Sequence, residues 1–151
     1  MSEFLILPHV VAGALGTILT LVLAGLLLRS AKTGYLDRAL AWLVPALYAL
    51  SFAAGGFWYL NHYDEGKAAI KAGPVPWAHG VVMETKEHVF LGAMLLALLV
   101  PVAVAEARQL NSVEARRMAA VVCALAGAMG LAMEGMGAVV SMAIRISAGG
   151  A

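Results

Sequence analysis

Charge is what this chain has least of. Only 13% of its 151 residues are Asp, Glu, Lys or Arg, about half the share carried by a soluble domain. The net charge of +1 leaves no basic patch with interleaved aromatics, so nucleic acid is not an expected partner. Cysteine is nearly absent too. The single Cys123 excludes an internal disulfide framework, any CxxC pair and covalent haem attachment, and inside its apolar run it reads as a small core residue. No Gly-rich loop follows a strand, no Ser–His–Asp set stands out, and there is no HExxH. Glu84 and His88 sit four apart and so miss the Glu-x-x-His spacing of di-iron bundles.

What is present is apolar length. Hydrophobic residues make up 62% of the chain and the mean hydropathy is +0.88. About 20 apolar residues cross a bilayer, and the pattern predicts four such spans, near residues 4–28, 39–60, 80–105 and 118–144. The first lacks the basic leader of a signal peptide, carrying Glu3 instead, and is expected to remain as a membrane helix. The links predicted between spans are Arg29–Arg38, a long loop over Asn61–Pro76 rich in Gly, Pro and mixed charge, and Ala107–Arg117. The expected fold is therefore all-α: one domain, an integral membrane, antiparallel four-helix transmembrane bundle with both termini on the same side.

Orientation follows from Lys and Arg. The first and third links carry Arg29, Lys32, Arg38, Arg108, Arg116 and Arg117, against Lys67, Lys71, Lys86 and Arg145 at the other end. Six against four favours both termini outside, on the periplasmic face of a bacterial-type inner membrane. His9, His62, His79 and His88 then gather near the outer face. Of these, His79 beside Trp77 reads as a surface or helix-start residue.

Close packing in lipid needs small residues. They mark one face of each helix: His9, Gly13, Gly16, Thr20 and Ala24 on the first, and Tyr48, Ser51, Gly55 and His62 on the second. The fourth has Gly127, Gly130, Glu134, Gly137 and Ser141. On the third helix Glu84 and His88 lie one turn apart and share a face. The pattern predicts a polar cavity in one half of the bundle. His88, with His62 or His9, is the expected ligand set for haem iron or another metal. Glu134, far inside its span, is costly as an isolated charge; it or Glu84 is expected to handle a proton or orient an imidazole. Met83 and Met133 flank the carboxylates as thioethers suited to Cu(I).

The segments YLNHY (Tyr59–Tyr63) and KEHVFLGAMLLALLVPVAV (Lys86–Val104) place one histidine at the close of the second helix and another at the opening of the third. In that layout the chain resembles small four-helix membrane proteins of the cytochrome-oxidase assembly type and haem b membrane-anchor subunits. The resemblance implies His62 and His88 as haem ligands. The chain departs from the pattern in its METKEH charges and in Glu134. The leading expectation is a membrane subunit of a respiratory-type electron-transfer complex that binds haem b or meets quinone. One alternative is a non-catalytic accessory or assembly subunit docking to partner membrane helices. Another is a membrane protein binding copper or a different metal through His, Glu and Met.

Overall fold

The computed structural model describes residues 6–29 and 32–149. The expected span start at Phe4, and Ser30 and Ala31 of the first link, lie outside them. Four long helices account for nearly everything described: α1 (Leu7–Arg29), α2 (Tyr35–Ala72), α3 (Glu84–Leu110) and α4 (Val113–Ser147). A six-residue π-helical segment, Ala78–Met83, runs directly into α3. Each helix, with the π-helical segment counted into the third, is long and apolar enough to cross a membrane.

Side chains explain which faces meet. On α1 the buried set is Ala12, Gly13, Gly16, Thr17, Thr20, Leu23, Ala24 and Leu27, spaced by threes and fours as one helical face requires. Val10, Leu15, Ile18, Val22 and Leu28 point outward and are exposed, the surface a lipid-facing helix presents. Glycines set the closest approaches. Leu21 rests on Gly127, Thr17 and the Tyr48 hydroxyl on Gly130, and the Tyr48 ring on Gly16. A Cβ at any of these would collide with its neighbour, so the helices touch where the side chain is smallest.

The links are shorter than the sequence predicts, and the second helix is longer. Asn61–Ala72, expected as loop, continues α2 to 38 residues, about 57 Å at 1.5 Å per residue. Mixed charge is compatible with a solvated helical extension, and Tyr63 and Ile70, seven apart, are both buried. The helix stops only at Gly73–Pro76, where two prolines remove backbone donors and restrict the residues before them. The third link reduces to Asn111 and Ser112: Asn111 takes the left-handed conformation, φ 48°, and Ser112 Oγ accepts from Ala115 N at 3.1 Å.

Two apolar clusters result. The larger joins Leu23, Leu27, Val44, Ala97, Val100, Val104 and Cys123, nearer the end with short links. The smaller joins Tyr63, Ile70, Ala78, Val140 and Ala143 at the opposite end. The polar side chains collect where these clusters leave a gap.

Candidate functional site

Between the clusters is a chamber of about 610 Å³ lined from all four helices. Its polar wall is built from His9 and Thr17 of α1, Tyr48, Ser51, Tyr59 and Tyr63 of α2, Lys86 and Glu87 of α3, and Glu134 and Ser141 of α4. Aromatic and thioether side chains, Phe52, Trp58, Phe90, Met83 and Met133 among them, supply the rest. Phe52 and Phe90 stack with centroids 4.2 Å apart and planes 11° from parallel, closing one side between α2 and α3.

His9 is held by a two-way clasp with Ser51. The His9 ring Nδ1 lies 2.8 Å from the Ser51 carbonyl oxygen, and the Ser51 hydroxyl donates to the His9 carbonyl at 2.9 Å. A carbonyl only accepts, so Nδ1 carries the hydrogen, and in the neutral form of the ring the lone pair is on Nε2. The ring packs flat against Gly55, whose missing side chain makes the space. Deeper in, the Tyr48 hydroxyl donates to the Ala126 carbonyl at 3.1 Å, with Thr17 Oγ1 3.5 Å away. These bonds tie α1, α2 and α4 together at the chamber's inner end.

The Glu134 carboxylate leans on the bare backbone of Gly13, beside Ser51 Oγ. Lys86 reaches across from α3 to Gly137, one turn from Glu134 on α4. His9 feels both Lys86 and Glu134. Four ionisable side chains, His9, Lys86, Glu87 and Glu134, thus line one partly enclosed space, where Coulomb interactions exceed their strength in water. Glu134 shares the chamber lining with His9 and Lys86.

His88 does not. It is exposed, and its Nδ1 donates to the Glu84 carbonyl of its own helix at 2.6 Å. Glu84 is exposed beside it. The reason is rotational. Ala93, Ala97, Val100 and Val104 form the buried stripe of α3. At about 100° per residue that stripe extends back to Lys86, leaving Glu84 and His88 about 160–200° away. The shared face of Glu84 and His88 is real, but it is the outer one. His62 is half-buried and lies outside the chamber lining.

His79, expected at the surface, is instead 4% exposed. The Tyr63 hydroxyl sits 3.0 Å from its Nδ1, and Tyr63 also stacks on Tyr59 at 5.0 Å. The extension of α2 brings Tyr63 there, so reading Asn61–Pro76 as a loop hid this pair.

Among the described residues no three His, Cys, Asp or Glu side chains gather as a metal site would need. Of the four histidines His9 lines the chamber, His62 and His88 lie outside its lining, and His79 pairs with Tyr63. What the arrangement offers chemically is a partly enclosed, largely apolar cavity with four ionisable side chains, His9, Lys86, Glu87 and Glu134, in its lining. No family model, curated protein or solved structure matches this chain.

Proposed function

We propose that the chain is a membrane subunit of an electron-transfer complex that takes a lipid-soluble quinone into the chamber. In this reading it inserts as an antiparallel four-helix bundle in a bacterial-type inner membrane, with both termini and the chamber towards the outer face. The excess of Lys and Arg in the two short links supports that orientation.

One observation carries the functional reading: His9, Lys86 and Glu134, from three helices, face the same aromatic-walled cavity of about 610 Å³. Ligand sites are typically apolar clefts with a few convergent polar groups, and ionisable groups at membrane depth mark proton or substrate paths. A quinone ring suits such a slot because it is flat and apolar, with a carbonyl acceptor at each end. When bound it supplies two-electron chemistry in which each ring oxygen gains or loses a proton; a partner redox subunit is the source or sink of the electrons. Lys86 is the donor for one quinone oxygen. Glu134, beside Lys86 and His9, is the group that passes a proton to or from the ring. Ser51 holds the His9 ring in one tautomer, so that Nε2 accepts.

Quinone is favoured over haem b because His62 and His88 lie outside the chamber lining. A Cu(I) reading keeps one supporting observation: Met83 and Met133 line the same space as His9.

The test is a titration of purified protein in lipid nanodiscs with a short-chain benzoquinone, followed by quenching of tryptophan fluorescence, since Trp58 lines the chamber. Saturable quenching in the wild type, weakened tenfold or more by His9→Ala with Lys86→Gln, is expected. Linear, unsaturable quenching identical in both proteins overturns the reading. Stoichiometric copper in the purified protein would move the assignment to the metal.

A further inference from the structure

The other end of the helices carries a second, unrelated feature. A groove of about 360 Å³ runs between the start of α2 and the end of α3. Its floor is apolar: Ala41, Pro101 and Val104 are buried there. Its mouth is flanked by two guanidinium groups, Arg38 from α2 and Arg108 from α3, both exposed. No carboxylate lines it. Trp42, 71% exposed, stands at the edge, as amphipathic rings do at the boundary between headgroups and acyl chains.

The surroundings reinforce the sign of charge. The two links at this end hold Arg29, Lys32, Arg38, Arg108, Arg116 and Arg117 against Asp37, Glu106 and Glu114. Asp37 is not available to neutralise the groove, because its carboxylate accepts the Gly34 amide at 2.6 Å and is 5% exposed. Arg38 is steadied over the Tyr35 ring at 5.7 Å. Two planar cations on separate helices, above an apolar slot that opens sideways, match one kind of molecule in a membrane. It has an anionic phosphate at the interface and a hydrocarbon chain below.

We propose that the α2–α3 groove is a binding site for an anionic phospholipid, with Arg38 and Arg108 clamping the headgroup phosphate and an acyl chain lying along Ala41, Pro101, Val104 and Ala105. Arg suits this role because its donors form a fixed fork that meets phosphate oxygens two at a time. Basic pockets between membrane helices recognise anionic headgroups in the same way. The site is independent of the chamber and does not rest on the quinone reading.

Native mass spectrometry of the full chain in detergent, with phosphatidylglycerol or phosphatidylcholine added, tests it. Phosphatidylglycerol should be retained at least tenfold more than phosphatidylcholine. Arg38→Gln with Arg108→Gln should remove that preference, whereas Arg145→Gln at the opposite end should not. Ala105→Phe, which fills the slot and leaves both arginines, should also abolish retention. Millimolar inorganic phosphate should fail to displace the lipid; displacement would show that the clamp holds a free anion and overturn the proposal. Equal retention by the wild type and either groove variant would overturn it as well.

Discussion

Leu23, Leu27, Val44, Val100 and Cys123 are each 1% exposed or less. Further along the same four helices, His9, Ser51, Lys86 and Glu134 stand around a cavity of about 610 Å³. In the first region small residues such as Ala93, Ala97, Ala119 and Ala120 let larger neighbours interdigitate. In the second, glycines at 13, 55, 130 and 137 make room for polar side chains instead of for one another. Lipid tails are as apolar as leucine, so burial alone does not hold membrane helices together; fit does. The closely fitted half fixes the geometry, and the half with the chamber spends that rigidity on holding ionisable groups in place.

Overfilling the fitted half should have the largest effect. Ala97 is 0% exposed, and Ala97→Phe is expected to destabilise the protein by about 1–3 kcal/mol, read as a lowered thermal unfolding midpoint in detergent. An unchanged midpoint would mean that the half is not closely packed. Glu134→Gln separates the regions more finely. It keeps the shape of the side chain, so stability should change by less than about 1 kcal/mol. Proton uptake coupled to quinone reduction should fall by about 100-fold, the scale of a lost general acid or base. Equal loss of folding and turnover would make Glu134 structural. The smallest effect belongs to His88. Exposed and, among the described residues, hydrogen-bonded within its own helix, it should tolerate Ala within about 0.5 kcal/mol and leave quinone binding unchanged. A tenfold loss of affinity would return it to the site.

The sequence made the four helices and their packing faces readable because Gly, Ala and Ser recur at spacings of three and four. Gly13, Gly16, Thr20 and Ala24 on α1, and Gly127 and Gly130 on α4, are buried as that pattern predicts. The site was half legible. His9, Ser51 and Glu134 lie on those stripes and reach the chamber. On α3 the Glu84–His88 pair shares one face, but the buried stripe is that of Ala93, Ala97, Val100 and Val104, which extends back to Lys86. The signal was present: small residues at 93 and 97 place residue 86 inward and residue 88 outward. The Tyr63–His79 pair was not legible, since Gly, Pro and charge between 61 and 76 look alike in a loop and in a solvated helix. Only Gly73, Pro74 and Pro76 break the backbone pattern there.

The central claim is that a quinone enters the chamber instead of dissolving in the lipid around the helices. Photo-crosslinking with an azido-benzoquinone, followed by peptide mapping, reads this directly. Label should concentrate on Tyr48–Tyr63 of α2 and Gly130–Ser141 of α4, and an excess of unlabelled quinone should suppress it. Label spread over the exposed outer residues Leu95, Leu98 and Val102, undiminished by competitor, would contradict the account.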